Sequence, residues 1–113
     1  MHIVTIKRLR QPSEAYREAA QEIGSWTRIV KQARWRSFLE LRNTFPDADS
    51  VNGFVVFNIR QNRYRLIVAV HYAKVIAGKL TMGHVYVGSF MTHKEYDGWC
   101  TMTEKKRAEW LHF

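Results

Sequence analysis

The sequence predicts an α+β domain: an antiparallel sheet with two N-terminal helices packed on it and a short helix after the last strand. Two strand-like runs, Phe54 to Ile59 and Tyr64 to Val70, are separated by four polar residues, a length suited to a hairpin. A stripe of apolar residues at steps of three and four runs from Tyr16 to Ala33, the period of an amphipathic helix. Helix-start signals stand at Ser37-x-x-Glu40 and at Thr92-x-x-Glu95.

Taken in order, His2, Val4 and Ile6 alternate with Ile3 and Thr5, a β-branched run that predicts a first strand ending at Lys7-Arg8-Leu9-Arg10. Ser13 follows Pro12 in the position of an N-cap. From there Tyr16, Ala19, Ala20, Ile23, Trp26, Ile29, Val30 and Ala33 give the buried stripe of the first helix. The pattern restarts near Trp35, Ser37 caps a second helix through Leu41 and Phe45, and Pro46 closes it. Asp47 to Gly53 is a cluster of turn formers and is expected to be the main loop of the first half. The hairpin follows, turning at Arg60-Gln61-Asn62-Arg63. Tyr72 to Gly83 is expected to connect it to a final strand, His84 to Met91, and Thr92 then starts a short helix. The tail from Thr103 to Phe113 favours helix, with Trp110 and Leu111 free to pack. Trp26, Trp35 and Trp110 are expected in the core or at helix contacts and Trp99, beside Gly98, partly exposed. No repeat or linker divides residues 1–113, so a single domain is expected.

Composition narrows the function. The chain has 113 residues, 18 Lys and Arg against 10 Asp and Glu, and a formal charge of +8, which suggests an anionic partner: nucleic acid, an acidic protein or a membrane surface. With 46% hydrophobic residues a real core can form, so wholesale disorder is excluded. Cys100 is the single cysteine, and no Cys/His spacing matches a zinc site, so neither a disulfide framework nor a metal centre is expected. The longest aliphatic run, Leu66 to Val70, is far short of the roughly 20 residues a bilayer span requires. The start turns basic where a secretory leader would be apolar, so a cytoplasmic protein is expected.

Two segments carry candidate chemistry. Asn58 to Arg65 puts Arg60, Arg63, Arg65, Asn58 and Asn62 within eight residues, with Tyr64 among them. Arginine's planar fork grips phosphate, and Asn and Tyr add donors or a ring to stack on a base. A charged, solvated turn would look similar, but Arg65 lies inside a strand on the face of Ile67 and Ala69, where a charge must find a partner or line a groove. The second segment is the start of the last helix, where His93 meets free N–H groups that favour an anion, with Lys94 beside it and Tyr96 and Asp97 on the same helical face. Those are sensible parts for acid–base chemistry, although the Thr92 box would equally cap an inert helix. Arg28, Lys31, Arg34 and Arg36 make the end of the long helix basic, a solvated face or a further contact for RNA.

The motifs F-N-I-x-x-N-x-Y-R-L, from Phe57 to Leu66, and T-H-x-E-Y-D, from Thr92 to Asp97, in this order, resemble the HigB family of toxins of bacterial type II toxin–antitoxin systems, within the RelE-like group. The start Met1-His2-Ile3-Val4, Trp35 to Phe38 and Phe45-Pro46-Asp47-Ala48-Asp49-Ser50 are similar too. The resemblance implies a RelE-like fold and an endoribonuclease that cuts mRNA at the ribosome without metal or cofactor. It also implies a helix-turn-helix, HigA-like antitoxin as partner, and no membrane. Carried over by motif, the catalytic candidates are His93, Arg65, Tyr96 and Asp97. The RNA- and phosphate-binding candidates are Asn58, Arg60, Asn62, Arg63, Tyr64 and Lys94. The family often has a basic residue in the last strand before T-H-x-E-Y-D, whereas this chain has Val87-Gly88-Ser89. A non-catalytic RNA- or ribosome-binding module, or an antitoxin-binding domain without activity, is the alternative.

Overall fold

The computed structural model describes residues 1–111; the end of the expected tail helix, His112 and Phe113, lies outside them. Strand β1 spans His2–Val4 and stops where Thr5 turns into the left-handed region at φ 61°. A 3₁₀ turn, Ile6–Leu9, leads directly into helix α1, Arg10–Ala15. The first strand is therefore shorter than expected and Ser13 is no N-cap. It lies inside α1, where its Oγ donates to Leu9 O at 2.7 Å. Pro12 is tolerated because it sits in the first turn, where its missing N–H has no partner to lose.

Helix α2, Arg17–Gln32, buries Ala19, Ile23, Trp26 and Val30, the stripe the sequence predicts, while Ile29 at its edge is exposed. Helix α3, Phe38–Thr44, starts at Ser37, whose hydroxyl accepts from Glu40 N at 3.2 Å. Glu40 closes only half of the expected box, because its carboxylate accepts from Arg36 N rather than from the cap residue. The expected loop at Asp47 to Gly53 holds a strand instead. Strand β2, Asp49–Val51, pairs antiparallel with β3, Phe54–Ile59, across an Asn52-Gly53 turn with φ of 52° and 82°. Positive φ at both positions is the type I′ signature that Asn-Gly favours, and it was hidden within a run of turn formers.

Strand β4, Tyr64–His71, pairs antiparallel with β3 as expected. The connection after it carries a separate small ribbon of β5, Val75–Ile76, and β6, Lys79–Leu80. The last strand, β7, His84–Thr92, pairs antiparallel with β4 and parallel with β1, giving the order β1-β7-β4-β3-β2. The sheet is thus mixed rather than wholly antiparallel. Hairpin turns dictate direction for β2, β3 and β4, but none joins β1 to β7. Between Ile67↔Ser89 and Val68↔Val87 the register skips Gly88, a β-bulge in β7.

The sheet has two unequal faces. One buries Val55, Phe57, Ile59, Tyr64, Leu66, Val68, Val85 and Val87 with the apolar stripe of α2 and Leu41 of α3. On the other, Val56, Ile67 and Met91 meet Trp99 of α4, His93–Cys100, and Leu111 beyond α5, Glu104–Glu109. Trp99 is fully buried and Trp110 is exposed, the reverse of the expectation for both. Arg107 explains the first. Its backbone carbonyl accepts from Trp99 Nε1 at 3.0 Å, while its guanidinium covers the Trp99 ring and donates to Asn52 Oδ1 at 2.6 Å. The tail is thereby tied to the β2–β3 turn.

Candidate active site

The register of β4 with β7 places Tyr64 opposite Thr92 and Arg65 opposite Met91, so helix α4 begins beside the start of β4. His93 N donates to Arg63 O at 2.8 Å, which joins the hairpin turn to the first turn of α4. The Thr92 box is complete. Its hydroxyl accepts from Glu95 N at 3.2 Å and the Glu95 carboxylate accepts from Thr92 N at 3.0 Å, fixing where α4 starts and holding His93 at its first position.

Arg65, His93, Tyr96 and Asp97, named from two segments far apart in sequence, form one cluster. The Arg65 guanidinium lies over the Tyr96 ring, 5.3 Å from its centroid, and Nη1 donates to Tyr64 O at 3.2 Å. Nη2 stands 3.4 Å from His93 Nδ1, and His93 Nε2 stands 3.2 Å from Asp97 Oδ2. Because a guanidinium only donates, neutral His93 shows Arg65 the lone pair of Nδ1 and carries its proton on Nε2, toward the Asp97 carboxylate. The His93 and Asp97 side chains are 54% and 63% exposed, so the imidazole is oriented and still open to a large polyanion. Tyr96 is half-buried. Burial, with the Cys100 thiol and the Asp49 carboxylate near the phenol, pushes its pKa up to about 12, so it remains a neutral hydrogen-bond donor.

Asn62, Arg60, Gln61 and Arg63 line an open cavity of about 550 Å³ with Tyr16, Tyr64, Thr92, His93 and Lys94. Arg60 and Gln61, at the hairpin tip, both have positive φ, 53° and 60°. Arg63 is engaged by Glu18 through Nη1 at 2.8 Å, and Glu22 accepts from Arg60 N at 2.7 Å. Tyr64 points to the helix side, where its ring is buried against Tyr16 and Phe90 and its hydroxyl donates to Glu18. That hydrogen bond, followed by Arg63, holds the Glu18 carboxyl below its ordinary range, and the same hydrogen bond to the Glu18 carboxylate, followed by burial, raises the Tyr64 phenol. Asn58 pairs across the sheet with Arg65 and is half-buried. Sequence reading missed Glu18, Glu22 and Tyr16. Their one signal was the spacing of two acids four apart on α2, which gives no hint of a distant arginine-rich turn.

A family described as HigB toxin, the RelE-like toxic component of a toxin–antitoxin system, matches residues 19–99. The chain is 26% identical over 100 residues to the mRNA interferase toxin HigB of Escherichia coli K12, covering 86% of this chain and 88% of the relative. The mRNA interferase HigB of Shigella flexneri is similar to the same extent, 26% over 100 residues with the same shares of each chain.

Proposed function

This chain belongs to the HigB-toxin family, the RelE-like toxic components of toxin–antitoxin systems, and on that premise we propose that it is a metal-independent endoribonuclease that cleaves mRNA on the ribosome. The 2′-hydroxyl attacks the adjacent phosphate, the bond to the 5′-oxygen breaks, and the products are a cyclic phosphate and a free 5′-hydroxyl. Such a reaction needs a base, an acid for the leaving oxygen and positive charge on the phosphorane. The convergence of Arg65, His93, Tyr96 and Asp97 at one open surface supports this reading.

Arg65 transfers from Nδ1 to the phosphate when RNA binds. Its 3.4 Å contact with the imidazole is at the weak end for a hydrogen bond, so the exchange costs little. His93 Nδ1 is then free to take or deliver the proton while Asp97 keeps the ring aligned. The Tyr96 phenol, neutral at working pH, donates to a phosphate oxygen and supports the guanidinium from below. Arg60, Asn62, Arg63 and Lys94 hold the flanking backbone at the mouth of the open cavity. An antitoxin with a helix-turn-helix is the cognate partner.

The chemistry is tested with ribosomes programmed with a short message. The expected product carries a 2′,3′-cyclic phosphate by mass spectrometry, and a single 2′-deoxy nucleotide at the cleaved position abolishes cutting. Cleavage that survives the 2′-deoxy substitution contradicts attack by the 2′-hydroxyl.

A further inference from the structure

Among the described residues, the second sheet face is only partly covered. The cluster under α4 takes Val56, Ile67 and Met91 but nothing from β1 or from the first half of β7. Ile3, Val70, Val85 and Val87 pack into the helix-side core, so strand alternation turns His2, Val4, His71, His84 and Tyr86 to the uncovered half. The registers set them in two rungs, His2↔His84↔His71 and Val4↔Tyr86↔Ala69. Four rings meet there. His2 and His84 are 5.8 Å apart, His84 and Tyr86 are 6.1 Å apart and nearly parallel, and His71 and Tyr86 are 4.9 Å apart. All three histidines are exposed.

The electrostatics favour an anion. No Asp or Glu occurs in β1, β4 or β7. Arg8 reaches the same strand, its Nη1 donating at 3.0 Å to the carbonyl of Val87, the residue after Tyr86. Strand β4 carries Arg65 and His71 on the same face, about 20 Å apart at a rise of about 3.3 Å per residue, with Ile67 between them buried under Trp99 of α4. Three exposed imidazoles and a half-buried phenol ring on an acid-free stretch of sheet are an arrangement that stacks unpaired bases, with nearby cations taking the phosphates.

We infer that His2, His71, His84 and Tyr86 form a stacking platform for single-stranded RNA flanking the cleaved bond, in line with Arg65 along β4. This rests on the nuclease reading for the direction of the strand but is tested by binding alone. Fluorescence anisotropy with a labelled, uncleavable 2′-O-methyl oligoribonucleotide compares the parent with His84→Ala, Tyr86→Ala, the double variant and Tyr86→Phe. The affinity should fall about 5- to 100-fold for each stacked base lost, with the far-ultraviolet circular dichroism unchanged. Tyr86→Phe, which keeps the ring, should bind like the parent. A double variant with parental affinity, or a parent that does not bind the RNA, overturns the platform. If the double variant keeps its RNA affinity and instead loses a co-expressed antitoxin, the face belongs to protein recognition and the inference fails. A parent that binds the oligonucleotide through these rings but never cuts message removes the nuclease reading and leaves the platform standing.

Discussion

At the scale of the residue, Arg65 ties the candidate site together because it touches three of its parts at once: the Tyr64 carbonyl, the Tyr96 ring and His93 Nδ1. Its position inside a strand, on a face otherwise apolar, was legible from the alternation of β4. Which side chains would receive it was not, since His93 and Tyr96 lie 28 or more residues away in sequence. Tyr96 carries a prediction of its own. With its pKa at about 12, the phenol contributes no ionisation below about pH 10, so Tyr96→Phe should lower the cleavage rate without changing the shape of the pH profile between about pH 6 and about pH 10. An alkaline limb that disappears in Tyr96→Phe would show the phenol titrating in that range and contradict the burial argument.

At the scale of the element, the hairpin turn closes on one bond of its own, Arg63 N to Arg60 O at 3.2 Å, puts Arg60 and Gln61 at positive φ without glycine, and is tied to α2 through Glu18 and Glu22. Glu18 is therefore a clamp on Arg63 of the turn, and its titration sets a pH dependence. A carboxyl whose folded pKa is depressed stabilises the protein fully above its unfolded value, near about 4.3, and that stabilisation is lost as pH falls through the lower folded value. Thermal melts should show Glu18→Gln less stable than the parent by a constant margin above about pH 5.5, with the margin shrinking as pH falls below about 4. A margin that stays constant down to about pH 2.5 would remove Glu18 from the clamp. Elements with a local signature were readable, as α2 with its stripe, α4 with its Thr92 box and the β3–β4 pair with its four-residue turn show. Elements without one were not. Strand β2 is three residues long inside a polar run, and the β5–β6 ribbon and the parallel direction of β1 depend on contacts that no local pattern records.

At the scale of the whole molecule, a mixed five-stranded sheet brings a basic hairpin and a helix N-terminus together, with the larger core on the helix side of the sheet. The formal charge of +8 favours an anionic partner. The motif residues were legible in sequence, but their convergence was set by the β4–β7 register, with Tyr64 opposite Thr92. Gly88, where a basic residue is often found in the family, occupies the bulge in that same pair of strands. The most direct measurement is inducible expression in bacteria with primer extension on abundant messages, comparing the parent with His93→Ala and Arg65→Ala. Discrete new 5′ ends should appear with the parent and fall about 10²- to 10⁴-fold with His93→Ala, and should be lost likewise with Arg65→Ala, at equal levels of folded protein. New ends of equal intensity in all three would contradict catalysis by this cluster.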